Sequence, residues 1–438
     1  MSNVWPNSAT RGTDGALCIA GVDVRDAAAA HGTPLFIFDE ADVRARAREY
    51  RDAAERVGAR KVYYAAKAFL STAVARWVYE EGLGLDVASG GELAVALRAG
   101  IPGSDLLLHG NNKSMSEIET AIQVGVARIV VDSFEEIVRV ADAALRAGIV
   151  QPVLVRLTIG VEAHTHEFIA TAHEDQKFGF SVASGAADEA IQRIAKLPSL
   201  EFRGLHSHIG SQIFDTDGFE EAAVRIVSFI DRLRTDQEVD VTELDLGGGM
   251  GIAYLPTDEP LAIDDLASHV ARIVARECQS LGLTMPALAF EPGRAIVGPA
   301  GITVYEVGTV KPVELDDIVR TYVSVDGGMS DNIRTALYDA QYTIELASRT
   351  SSAELMLVRV VGKHCESGDI VVRDAYLPSD LVSGDLLAVA ATGAYCRSMA
   401  SNYNYLPKPA VVGVRDGKTS VVLRRETLED LLALDPGV

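Results

Sequence analysis

A lysine closes an otherwise apolar run, Val62-Tyr63-Tyr64-Ala65-Ala66-Lys67-Ala68-Phe69. A charged amine at the end of a buried strand needs either a partner or a task. It can snorkel to solvent. It can instead form an imine with an aldehyde cofactor, because partial burial lowers a lysine pKa and exposes its lone pair. Three more clusters bear on that choice. Leu244-Asp245-Leu246-Gly247-Gly248-Gly249-Met250-Gly251 brings backbone N–H groups close to a phosphate or makes a tight turn. Ile252 stands where a dinucleotide fingerprint needs its last glycine, so a single phosphate fits better than a dinucleotide. In Glu291-Pro292-Gly293-Arg294 the acid suits a protonated pyridine nitrogen, and the guanidinium suits a carboxylate or phosphate. An internal Glu–Arg ion pair is the plainer alternative.

His206-Ser207-His208-Ile209-Gly210-Ser211-Gln212 places two histidines on one face of a strand. Such a pair invites zinc, but no HExxH helix or third ligand is evident. A ring-stacking histidine beside a phosphate-binding serine fits the glycines better, and no metal is expected. His164, His166 and His173 fall in a long irregular segment that reads as a polar lid over residues 164–180. Arg334 and Tyr338 are four apart, which on a helix makes them neighbours able to bind a carboxylate. His364-Cys365-Glu366-Ser367-Gly368-Asp369 sets a thiol beside an acid at a turn, a polar setting in which cysteines are reactive.

Something must carry these groups to one place. Short apolar runs near 62–66, 84–88, 106–109, 128–132, 153–157, 203–208, 243–246 and 288–291 lack strict alternation, as strands buried on both faces do. Segments of helical period separate most of them: 72–81, 91–98, 114–124, 134–146, 187–196, 219–234 and 263–281. The pattern predicts an α/β fold, a (β/α)8 TIM barrel whose active site lies at the C-terminal strand ends, with an open doubly wound sheet as its rival. After Pro299 strands follow one another without long helices, which predicts a mostly β C-terminal domain. The expected division is a barrel over 39–298 and a β domain over 299–438 joined by residues 1–38, through the strand Pro34–Phe38.

Composition narrows the partners. The formal net charge of −22, from 40 Lys+Arg against 62 Asp+Glu, argues against nucleic acid. Four cysteines without regular spacing, Cys18, Cys278, Cys365 and Cys396, do not form a disulfide framework. With no signal-peptide pattern and no apolar stretch of spanning length, a cytoplasmic protein without a membrane partner is expected.

The ordered set YYAAKA, DVASGGEL, HGNNKS, DQKFGF, HSHIGSQ, LGGGMG, EPGR, GGMSDNIRTALYDA, CESGD and GAYCRSMASNYN resembles the fold-type III pyridoxal-phosphate decarboxylases, whose barrel is of alanine-racemase type. The closest likeness is to the branch acting on meso-2,6-diaminopimelate, and it covers almost the whole chain. It implies decarboxylation to L-lysine and carbon dioxide with pyridoxal 5'-phosphate as cofactor. Lys67 would hold the cofactor covalently, His208 would stack on its ring and Glu291 would meet its nitrogen. Ser211, Gly247, Gly248, Gly249, Gly293 and Arg294 would hold its phosphate with Tyr395 nearby, and Asp86 and Arg156 would support lysine and ring. Arg294, Arg334 and Tyr338 would bind the carboxylate distant from the reacting centre, with Tyr395 close, and Glu366 the distal amine. Cys365 would return a proton after carbon dioxide leaves. The resemblance further implies a homodimer in which Cys365 and Glu366 reach the other subunit's site. Related decarboxylases of ornithine, lysine, arginine, carboxynorspermidine or a specialised diamino acid, a racemase, and a non-catalytic cofactor-binding regulator are the rival readings. Arg397 stands where an aromatic residue is expected.

Overall fold

The structure, a computed structural model, describes residues 1–160, 177–315 and 318–437. His164, His166, His173 and most of the expected lid lie outside them. Two compact units form, residues 46–251 with 260–293, and residues 1–45 with 252–259 and 294–438. This division assigns 39–45, 252–259 and 294–298 differently from the boundaries read in the sequence.

The first unit is a closed barrel. Its strands are β1 (Lys61–Ala65), β2 (Gly84–Val87), β3 (Leu106–Leu108), β4 (Arg128–Val131), β5 (Gln151–Thr158), β6 (Leu200–Ser207), β7 (Glu243–Asp245) and β8 (Ala287–Phe290). Each pairs in parallel with the next, and β8 returns to β1 through Ala289–Lys61 and Phe290–Val62. Closure removes the open-sheet alternative and leaves no exposed edge. Every residue of β2, β3 and β4 is buried, which is why these runs show no polar alternation.

The first four βα loops end alike. Ser71, Ser89, Ser114 and Ser133 cap the helices Thr72–Glu80, Gly90–Arg98, Met115–Val124 and Phe134–Ala147, each accepting a backbone N–H two to three residues into its helix. Each cap contributes about 1 kcal/mol and fixes where the loop stops.

The second unit is mostly β. Strand Gly301–Leu315 pairs antiparallel with Ile318–Val325, Leu386–Val389 and Leu35–Asp39. Leu35–Asp39 also runs parallel to Ala410–Arg415, so the N-terminal strand joins this sheet. Leu35, Ile37, Ile302, Val304, Ala388 and Val412 share its core. The short strand Ile344–Leu346, paired with Leu386–Val389, is too brief for a periodic signal. Among the described residues no helix is long and apolar enough to cross a membrane.

Candidate active site

The chemistry-bearing barrel residues gather at the C-terminal rim. Lys67 lies in the turn Ala66–Ala68 just past β1, and Asp86 lies on β2. His109 follows β3 and Arg156 lies on β5. His206 lies on β6, with His208 directly after it, and Asp245 ends β7. Glu291 follows β8. Lys67 is exposed, so the partial burial expected at the strand end is absent. Its amino group lies within electrostatic reach of Asp86, Glu92 and His208.

Glu291 is the hub. Its carboxylate lies 2.7 Å from His109 Nε2 and 3.1 Å from His206 Nε2, all three side chains being buried. The two imidazoles meet edge to face at 4.7 Å. Burial pulls the His109 pKa down to about 4, against the pull of Glu291, and lowers that of His206. Asp86 and Asp245 are pushed well above the usual carboxylate range by burial and by the neighbouring Glu291 charge. Burial opposes ionisation of Glu291 too, but the two histidines hold its pKa well below the ordinary value. Like charges so close cannot all ionise, and Glu291 is the acid that keeps its charge. Arg156 lies against Asp132, Nε to Oδ1 3.9 Å, with its guanidinium 4.3 Å from the Phe178 ring centre.

His208 Nδ1 accepts the Gly248 N–H at 3.2 Å, and Asp245 Oδ1 accepts that of Gly247 at 2.8 Å. The His208 pKa is well below its usual value through burial and the nearby Lys67 and Arg156 charges. A neutral ring, oriented through one nitrogen, suits stacking on an aromatic cofactor. The glycines also serve the fold: a Cβ on Gly248 would come within 2.2 Å of the Glu291 carbonyl, and one on Gly249 within 2.5 Å of the Gly210 carbonyl. Gly249 has φ +107°. With Gly247 and Gly248 committed, the N–H groups of Gly249 and Gly293 have no acceptor among the described residues. Ser211 follows in the β6 loop, partly exposed. A reactive amine, a neutral ring-stacking histidine, an anionic buried acid and unclaimed backbone donors together fit pyridoxal phosphate.

His109, His206 and Glu291 also supply the third donor that the sequence did not reveal for a metal. Ligands around a tetrahedral zinc lie about 3.3 Å apart for ordinary bond lengths. Here the 3.1 Å contact between His206 and Glu291 is a hydrogen bond, and the 2.7 Å between His109 Nε2 and Glu291 Oε1 is shorter than two donors on one zinc ion stand.

The β unit holds a second buried cluster. Arg334 opens the helix Arg334–Tyr338, so the condition under which Arg334 and Tyr338 were read as neighbours is met. Its guanidinium Nη1 donates to Tyr254 Oη at 2.9 Å and to Tyr342 Oη at 2.5 Å. These phenols stand four and more residues from where the sequence pointed, to Tyr338, which lies partly exposed at the helix end. Tyr254 follows the glycine cluster and Tyr342 follows SDNIRTALYDA, so each was adjacent to a motif but not marked by spacing. Arg294 Nη1 also donates to Tyr254 Oη, at 2.5 Å, and its guanidinium stacks 4.6 Å from the centre of the Tyr395 ring. Tyr395 has φ +58°. No hydrogen bond or ion pair joins Arg334 to a carboxylate among the described residues. A buried guanidinium satisfied only by phenols retains an unmatched charge. Cys396 lies buried behind Tyr342, Sγ to Oη 3.6 Å. Arg397 is half-buried and donates to the Pro409 carbonyl at 3.2 Å.

Cys365 and Glu366 sit on an exposed turn organised by Asp369, whose carboxylate accepts the N–H groups of His364 at 2.8 Å and Met329 at 2.6 Å. His364 is buried, bonded to Asn404 and Ser330 and stacked on Tyr403. The Cys365 N–H donates to Asn404 Oδ1 at 3.2 Å, and Glu366 Oε1 accepts from Gly368 N–H at 3.1 Å. The turn is thus rigid at its base and presents both side chains outward.

Residues 40–298 match the model of the pyridoxal-binding domain of pyridoxal-dependent decarboxylases. Diaminopimelate decarboxylase of Mycobacterium leprae (strain TN) is 57% identical over 439 residues, covering 99% of this chain and 93% of the relative. That of Bacillus subtilis (strain 168) is 45% identical over 422 residues, 96% of this chain and 95% of the relative. The crystal structure of M. jannaschii diaminopimelate decarboxylase in complex with L-lysine superposes with a TM-score of 0.91 at 32% identity, covering 99% of this chain and 98% of that one.

Proposed function

The chain belongs to the pyridoxal-dependent decarboxylases, and to the diaminopimelate decarboxylases among them, and from that premise we propose how its residues divide the work. It is a lyase that uses pyridoxal phosphate to convert meso-2,6-diaminopimelate to L-lysine and carbon dioxide, a step of lysine biosynthesis. Lys67 holds the cofactor covalently and later releases the product. His208 faces the ring, Glu291 the ring nitrogen, and Ser211 with the N–H groups of Gly249 and Gly293 the phosphate, the turn through Gly247 and Gly248 giving it room and Arg294 and Tyr395 standing beside it. When bound, the cofactor supplies a sink for the electron pair left as carbon dioxide departs.

The remaining roles are the chain's own. An anionic Glu291 keeps a ring nitrogen protonated, and Asp86 and Arg156 shape the field around Lys67. Arg334, Arg294 and Tyr338 bind the carboxylate that stays on the product. Glu366 takes the amine beside that carboxylate. Cys365 delivers a proton to the carbon that has lost carbon dioxide. Because Cys365 and Glu366 point outward from a rigid turn, we assign them to the site of a second copy of this chain in a homodimer. The cytoplasm is the expected compartment.

The observation that carries the substrate is Arg334, a buried cation whose acceptors are phenols. A substrate with a second carboxylate supplies the missing charge; ornithine, lysine and arginine as substrates carry none there. The test is product analysis of the pyridoxal-phosphate-loaded protein with meso-diaminopimelate, ornithine, lysine and arginine in parallel, with Lys67→Ala as control. Lysine and carbon dioxide from diaminopimelate alone is the expected result, and Lys67→Ala loses both turnover and the visible cofactor band. Turnover of only a monocarboxylic amino acid would overturn the substrate reading.

A further inference from the structure

Two arginines sharing one acceptor is an unusual arrangement for like charges. The Tyr254 hydroxyl oxygen lies 2.5 Å from Arg294 Nη1 and 2.9 Å from Arg334 Nη1, so a single phenol holds both guanidinia. Its ring also lies under them, 4.9 Å from the Arg334 centre and 5.9 Å from that of Arg294. Tyr342 meets the Tyr254 ring edge to face at 5.2 Å and accepts from the same Arg334 nitrogen at 2.5 Å. Behind it, Asn332 Oδ1 accepts both the Tyr342 hydroxyl at 3.5 Å and the backbone N–H of Arg334 at 3.2 Å. All of Tyr254, Arg294, Arg334 and Tyr342 are buried. Both phenols bond the same terminal nitrogen of Arg334, which leaves its other N–H groups for an outside anion.

We propose that Tyr254 and Tyr342 are positioning residues whose hydroxyls fix Arg294 and Arg334 to receive the carboxylate at the non-reacting end of the substrate, and that they thereby set the preference for substrates bearing it. This rests on the reading of Arg334 given above. Carboxylate recognition by an arginine fork depends on its orientation. A guanidinium free to rotate in a buried pocket loses that match, while the phenyl ring of a Tyr→Phe variant preserves packing and the cation–ring contact.

The experiment uses the cofactor-loaded enzyme and two ligands that differ by one group. L-Lysine keeps the carboxylate in question, and 1,5-diaminopentane is the same chain without it. In Tyr254→Phe, KM for meso-diaminopimelate and the inhibition constant of L-lysine should each rise about tenfold, the scale of one lost hydrogen bond. The change in kcat should be smaller, and inhibition by 1,5-diaminopentane should stay within about twofold. Tyr342→Phe should act in the same direction and carries the test alone if Tyr254→Phe does not fold. Equal weakening of both ligands, or of neither, in a variant that retains its visible cofactor band would overturn the proposal. Arg334→Gln, measured alongside, separates the two ideas. If it leaves the lysine-to-diaminopentane ratio unchanged, the carboxylate reading of Arg334 fails first. If it collapses the ratio while both tyrosine variants preserve it, only the positioning role fails.

Discussion

Asp86, Asp245 and Glu291 share one buried rim, and the charge settles on the acid that two imidazoles face. His109 therefore does its work neutral, and its titration has a definite sign. With a pKa of about 4 in the fold against about 6.5 in an unfolded chain, acidification protonates the unfolded state first. The contribution of His109 to stability is complete above pH 6.5 and is lost as the pH falls through 4, roughly 3 kcal/mol in all. Asp86 and Asp245, raised in the fold, act in the opposite direction, while His206, His208 and Glu291, lowered in the fold, act with it. The raw pH curve mixes them, so His109→Asn isolates the imidazole. Urea unfolding of the cofactor-free protein from pH 7 to 4 should show the stability gap between wild type and variant shrinking by up to about 3 kcal/mol. Parallel curves would mean that His109 titrates normally. His109 was within a quoted motif, HGNNKS, yet nothing in its spacing announced a partner 182 positions away at Glu291. Only closure of the barrel brings the ends of β3, β6 and β8 together.

At the scale of elements, the same motif carries a device that holds the rim. Lys113 is buried and spends its three N–H donors on Gly110 O, Val130 O and Glu136 Oε1, at 2.7, 2.7 and 2.5 Å. It ties the loop after β3 to strand β4 and to the helix that follows. Lys113→Met strands Glu136, which has no exposure, and should cost about 3–5 kcal/mol, whereas Lys113→Met with Glu136→Leu should recover much of that loss. Chemical denaturation of the three proteins decides it; an additive double variant would show that the pair is not the tie. The strands of the barrel were legible because burial on both faces leaves a plain apolar signature, and the eight runs lie within a few residues of their places. Lys67, Asp86 and Glu291 stood out because a charge at the end of an apolar run is conspicuous, whereas His109 and Asp245, at the ends of β3 and β7, did not. Tyr254 and Tyr342 were not, because their task arises from tertiary approach to Arg334 and no local period encodes it. The strand Ile344–Leu346 escaped for want of length, and the reach of Gly301–Leu315 beyond Val307 escaped because Gly308, Lys311 and Pro312 break the pattern that cross-strand pairing with Ile318–Val325 overrides.

At the scale of the molecule, meso-2,6-diaminopimelate balances two carboxylates with two ammonium groups, so a net charge of −22 offers its carboxylate end no attraction and recognition of that end falls to local arginines. Cys365 and Glu366 project from a turn pinned by Asp369 and backed by buried His364, and side chains so presented serve a neighbour readily. If Lys67 of one subunit works with Cys365 of the other, then two inactive proteins complement. Lys67→Ala lacks the cofactor's attachment, and Cys365→Ala lacks the proton donor, slowing turnover by about 10²-fold or more. After subunit exchange of an equal mixture, half the dimers are mixed, and each mixed dimer holds one site with both groups intact, so about a quarter of wild-type activity should return. The measurement is turnover before and after exchange, with mixed dimers verified by differently tagged chains. Recovery to that level places the two groups on different subunits. Activity that stays at the sum of the separate variants, with mixed dimers present, would place Lys67 and Cys365 of each site on one chain.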